Sequence, residues 1–216
     1  MNKEKIIINL PLTPPLLKEE YIRNKYMSMW LKTLNKEFRE KINNEISNWN
    51  NKEDFLDYSK KIFWFNKENG WNFLCSVMDN IWDTTLVIEE YKNKPKLDSK
   101  WQELIYLYWV LNAIYAQYSW IQELAKLLWI KRLKPQISEL RNTISHISNL
   151  DYWKNAYYFS SEVKDWTFSI HWYIEWDKYE NINVYEYIEE YEKEIISYYR
   201  EVIKTIFINI EKNNNY

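Results

Sequence analysis

From Val184 to Ile210, apolar residues return every three or four positions: Val184, Tyr187, Tyr191, Ile195, Tyr198, Val202, Ile206 and Ile210. That period lines one face of an α-helix and cannot serve a strand, whose faces alternate every second residue. Asn183 with Glu186 marks the start of this helix, and its acidic residues form a solvated face. The same period recurs upstream. Residues 17–48 place Tyr21, Met29, Leu34, Phe38, Ile42 and Ile46 on one stripe, and residues 52–66 do so with Phe55, Tyr58, Ile62 and Phe65. Gly70 punctuates the chain, and residues 71–92 form a further helical run that ends before Pro95.

Ser99 with Gln102 resembles a capping box at the head of a helix over 99–118. Its expected apolar stripe is Leu104, Leu107, Tyr108, Leu111, Ile114, Tyr115 and Tyr118. Ser119 with Gln122 repeats the signal, which predicts a break there and a short helix at 120–129. Pro135 suits the first turn of a helix over 135–149. Residues 155–174 change character. Phe168, Ile170, Trp172 and Ile174 alternate as a strand would, and Ala156–Phe159 can pair with them as a hairpin. The expected fold is all-α: one helical domain over 17–212 with a small β-hairpin inserted before the last helix. An extended, proline-rich segment precedes it at 1–16, and a disordered tail follows at 213–216.

Composition narrows the chemistry. Cys75 is the only cysteine, so an internal disulfide or a thiolate metal cluster is impossible and a cytoplasmic setting is the simplest expectation. The opening, MNKEKIIINLPLTPP, has too short an apolar run for a secretion signal, and no stretch has the length of a membrane span. A net charge of −2 does not suit a protein that coats nucleic acid, so any RNA contact should be local. The chain also holds 13 Trp and one Gly, where an ordinary domain has Gly at about 7%. Some Trp stand where glycine is expected. Trp129 ends the helical run AKLLWIK at the C′ position, and Trp166 follows Asp165 between two strand-like runs. Two readings are open: a source that reads UGA as glycine, or a tryptophan-rich protein.

The chemistry-bearing stretch is Arg141-Asn142-Thr143-Ile144-Ser145-His146, which holds one of the chain's two histidines. Random placement of Arg, Asn and His at this spacing would give about 0.005 matches in such a chain. Ile137, Leu140, Ile144 and Ile147 form the inward stripe of its helix, which leaves Asn142 and His146 on nearly the opposite side. Lys126, Lys131, Arg132 and Lys134 form a basic approach. His171, on the polar side of the predicted strand, reads as a structural or surface residue.

An Arg-Asn pair followed by three residues and His resembles the hallmark of the HEPN superfamily (higher eukaryote and prokaryote nucleotide-binding domains). Abortive-infection proteins, toxin ribonucleases and the RNA-cleaving domains of CRISPR type VI effectors share it. The resemblance implies a helical bundle closed by a long helix, and a homodimer with a composite active site. It also implies a toxin or antiviral role, with an antitoxin or a CRISPR-associated protein as a further partner. By sequence it covers about 137–150. The toxin branch that works beside a nucleotidyltransferase antitoxin usually carries Tyr two residues after the His; here Ser148 stands there.

These residue types suit RNA cleavage through the 2′-hydroxyl. Histidine's ordinary pKa near 6.5 lets His146 act as general base or acid. Arg141 presents a permanently charged fork to the phosphate, and Asn142, one turn before His146, can orient either partner. The chain carries no HExxH, paired-carboxylate or Asp-rich pattern. The sequence reading is therefore a metal-independent endoribonuclease without a cofactor. The alternative is a HEPN-like module that binds RNA or a protein without cutting.

Overall fold

The structure, a computed structural model, describes residues 27–47, 54, 57–60, 70–93, 99–145, 157–159, 167–172 and 179–213. It is predominantly helical. In order come α1 (Met27–Ser47), a helical turn at 57–60, α2 (Gly70–Asn93), α3 (Lys100–Leu127) and α4 (Gln136–Ser145). Strands β1 (Tyr157–Phe159), β2 (Thr167–Trp172) and β3 (Tyr179–Asn183) follow, and α5 (Val184–Asn213) closes the chain. The expected segment at 1–16 and most of the expected helix at 52–66 lie outside the described residues. Asn213, assigned by sequence to the tail, is the last residue of α5.

The core is one cluster shared by all five helices and joined by Ile182 of β3. Leu34, Phe38 and Ile42 of α1 are buried as their spacing predicts, whereas Met29 is exposed and Leu31 takes its place inside. Leu31 stands three residues before Leu34, one turn back on the same face, so the stripe begins there. Phe38 meets Tyr199 and Phe207 of α5 edge-to-face, at centroid distances of 6.0 and 5.9 Å. Two buried polar links fix how the helices meet. Asn35 donates to the Met78 carbonyl (2.7 Å) and accepts from the Tyr199 hydroxyl (2.9 Å), joining α1, α2 and α5. Gln117 donates to Thr84 and Thr85 and accepts from the Tyr191 hydroxyl, joining α3 to α2 and α5. Buried amides satisfied on both sides specify one register better than apolar contacts alone.

The break expected at Ser119 does not occur; α3 runs through it to Leu127. The apolar stripe explains why. Val110, Ile114, Ile121, Leu124 and Ala125 are all buried, so the same face continues past Ser119, and that burial outweighs a local capping signal. The inward face is turned slightly from the expected one: Tyr115 is 41% exposed, and Gln117 is buried instead. At the start of α3 the capping reading matches the geometry, since the Ser99 hydroxyl accepts from the Gln102 amide (3.2 Å). At the start of α5, Asn183 accepts from the Tyr185 amide and donates to Glu186.

The predicted hairpin is present and belongs to a larger sheet. β1 and β2 pair antiparallel with Tyr157 opposite Trp172 and Phe159 opposite Ile170. β2 also pairs antiparallel with β3, Phe168 opposite Ile182, so the order is β1-β2-β3. The third strand is not expected from the sequence. YENIN carries one strongly apolar residue, Ile182, and that residue is buried beside Val184 where the strand runs into α5.

The helix of the RNTISH motif is α4. Ile137 and Leu140 are buried, with α4 packed on α3 and α5. Ile147 and His146 lie outside the described residues, as do the side chains of Asn142 and Ile144. Leu140→Ala should cost about 2–5 kcal/mol, measured by urea unfolding. A loss well under 1 kcal/mol would mean that α4 turns a different face to the core, and the placement of the motif would fall with it.

Candidate functional site

The site is built on two tyrosines of α3, one turn apart. The Arg141 guanidinium of α4 sits over the Tyr115 ring, 4.2 Å from its centroid. At this distance a guanidinium is held by the ring's electron-rich face. Tyr118 lies one turn further along α3 and is buried. Its hydroxyl donates to the Leu133 carbonyl (2.7 Å) and accepts from Arg132 Nε (3.2 Å). The bond to Tyr118 holds the Arg132 guanidinium above its ordinary pKa, so its charge is secure at any working pH. Tyr198 of α5 packs near the same carbonyl and near Gln122, and burial raises its hydroxyl pKa.

The segment between α3 and α4 follows from these contacts. Tyr118 pins it at Leu133, Pro135 is buried at the head of α4, and the Ser138 amide donates to the Pro135 carbonyl (3.0 Å). Lys131, Arg132 and Lys134 are exposed along it. Lys126, at the end of α3, is also exposed and lies 3.4 Å from Glu123. An exposed pair at that distance is worth little and leaves the ammonium available to an anion. The four basic residues read from the sequence are therefore on the surface, and the anchored segment carries three of them directly into the motif helix.

Of the three residues expected to be catalytic, the structure describes the Arg141 side chain and the helical backbone of Asn142. His146 and the Asn142 side chain lie outside the described residues. For His171, the described feature is its backbone in β2, opposite Tyr158 and Tyr179. The sequence reading placed Tyr115 and Tyr118 on the core stripe; Tyr118 is buried there and Tyr115 is exposed, and the contacts of the two with Arg132 and Arg141 were not foreseen. A tyrosine at each of two positions three apart, facing a stretch with two of the chain's five arginines, was the signal that could have found them.

A contrasting surface lies elsewhere. Leu86, Val87, Glu89, Glu90, Tyr106 and Trp109 line a cavity of about 490 Å³ between α2 and α3. Its carboxylates disfavour an anion, which leaves the Arg132–Arg141 side as the better match for one. Among the described residues no group of three His, Cys, Asp or Glu gathers as metal ligands do, and no helix is long and apolar enough to cross a membrane. Comparison of the chain with protein-family models, curated proteins and solved structures returned no match.

Proposed function

We propose that the protein is a metal-independent endoribonuclease of HEPN type, acting as a toxin or antiviral effector. The observation that carries this reading is Arg141, the first residue of the motif, held on Tyr115 at the end of an exposed basic segment. A guanidinium stacked on a ring loses less side-chain freedom on binding phosphate than one standing in water. In the proposed reaction His146 takes the proton from the 2′-hydroxyl, and the 2′-oxygen attacks the adjacent phosphorus. Arg141 meets the charge that builds on the phosphoryl oxygens. The bond to the 5′-oxygen breaks, and that oxygen takes a proton from a second acid, His146 of a second copy. The products are a 2′,3′-cyclic phosphate end and a 5′-hydroxyl end.

The test is incubation with mixed RNA in EDTA. Cutting that leaves 2′,3′-cyclic phosphate ends supports the proposal. Binding without cutting supports a non-catalytic RNA-binding module instead, and neither result would leave a helical bundle with an accidental motif. The genes beside this one report on the role, since an antitoxin or a CRISPR array would name the partner.

The basic approach has its own readout. Changing any two of Lys126, Lys131, Arg132 and Lys134 to Glu should weaken RNA binding. It should also lower the slope of log K against log salt by at least about 2, close to one counterion for each phosphate the protein no longer neutralises. An unchanged slope would take these residues off the RNA path.

A further inference from the structure

We infer that residue 129 is glycine in the native protein, and that its codon is a UGA translated here as tryptophan. This is independent of the ribonuclease reading and rests on the end of α3. The Ile130 amide donates to the Ala125 carbonyl (3.0 Å), and the Trp129 amide lies 3.3 Å from the Lys126 carbonyl. With Leu128 as the C-cap, these are the six-to-one and five-to-two bonds of a Schellman motif. The motif puts its C′ residue in the left-handed region, and Trp129 is there, at φ 59°. Among the described residues it is the one non-glycine with positive φ. The left-handed conformation brings Cβ against the following carbonyl, so the position favours a residue without Cβ, and a bulky one there is an outlier.

A tryptophan could occupy such a position if its indole packed well enough to offset the cost. This one does not: Trp129 is 91% exposed. The apolar contact that accompanies the motif comes from its neighbours, with Ala125 buried and Ile130 packed against the core. Nothing in the turn depends on the indole.

The other tryptophans divide: Trp82, Trp101 and Trp109 are exposed, whereas Trp30, Trp71 and Trp120 pack part-buried against the core. Trp82, Trp101 and Trp109 lie inside helices, where glycine is unfavourable, so the conformational case applies to position 129 alone. The one glycine as written, Gly70, cannot supply the C′ residue of α3.

The experiment is peptide mass spectrometry of the protein purified from its source. Trypsin releases Leu127–Lys131, and its mass should be lower than the written sequence requires by the difference between tryptophan and glycine. The gene should carry UGA at codon 129. A tryptophan-containing peptide, or a UGG codon, overturns the inference and leaves an exposed indole between Lys126 and Lys131, available to stack on a base. A second measurement reads the geometry directly. Recombinant Trp129→Gly should unfold at a thermal midpoint about 2–4 °C above the tryptophan form. A lower midpoint would count against the conformational case.

Discussion

His146→Ala should lower RNA cleavage by about 10²–10⁴-fold, the range removed when a general acid or base is lost. Arg141→Ala should cost about 10²–10³-fold through weaker charge stabilisation. Both variants should keep the far-UV dichroism of the parent, because Arg141 is outside the core cluster and His146 is off the inward stripe read for its helix. The decisive step is to mix the parent with an excess of His146→Ala. If two copies form one site around a two-fold axis, a re-equilibrated heterodimer carries a single His146 and lacks either the base or the acid. Activity should then fall with the square of the parent fraction. A site contained within one chain predicts a fall in simple proportion to that fraction, since every parent chain is complete. The proposed two-fold arrangement is argued from chemistry: acid–base cleavage wants a group of suitable pKa on each side of the phosphate, and each chain offers one histidine in the motif. A monomer with full activity would sink the arrangement, and an active His146→Ala protein would remove His146 from the mechanism.

Arg141→Lys separates charge from geometry at the same position. Lysine keeps the positive charge but loses the guanidinium's place over the Tyr115 ring and the two-pronged grip on phosphate. Most of the activity should be lost, and a fully active Arg141→Lys protein would show that charge alone suffices.

The helices were legible because their faces repeat. The stripe from Val184 to Ile210 fixed α5 to within three residues, and the Ser99 and Asn183 caps placed the starts of α3 and α5. Where the reading failed, a local signal conflicted with a longer one. Ser119 and Gln122 have the residue types of a capping box, but Ile121, Leu124 and Ala125 continue the buried face, and the helix follows the face. β3 was hidden for the opposite reason. A five-residue strand with one strongly apolar side chain gives no alternation to read, and its pairing with β2 is decided by residues outside the strand. The candidate site could be read as a motif and not as a place. Spacing on α4 could separate the core stripe from the face of Asn142, but not show that Arg141 reaches Tyr115. That contact depends on how α4 crosses α3, which a single-helix pattern does not encode.

The largest stability effect should come from one pair of charges, Lys92 of α2 and Glu192 of α5. Their side chains are 5% and 3% exposed and meet at 2.8 Å, and Lys92 also lies 5.5 Å from the Tyr185 ring. Burial pushes the Glu192 carboxyl up to about 7. Lys92 opposes that rise by charge and hydrogen bond, and Glu189 and Glu89 add to it. One oxygen of Glu192, Oε1, is buried without a hydrogen-bond partner, so only half of the carboxylate is compensated. Removing Lys92 leaves that charge alone, and Lys92→Met should cost about 3–5 kcal/mol above pH 7. The sign of the pH dependence follows from the raised pKa. Between about pH 4.5 and 7 the folded chain holds a proton on Glu192 that the unfolded chain has released, so this group's contribution falls as pH rises through that window. Below it the contribution is fully present, and Lys92→Met should therefore cost less in acid, where Glu192 is neutral. Glu192→Gln should flatten the window in the parent, and Lys92→Met with Glu192→Leu should recover most of the stability lost by Lys92→Met alone. Urea midpoints taken from pH 4 to pH 8 on the four proteins read all of this. A Lys92→Met cost that stays constant across the range would mean that Glu192 keeps one protonation state from pH 4 to pH 8, and the pH argument would fall.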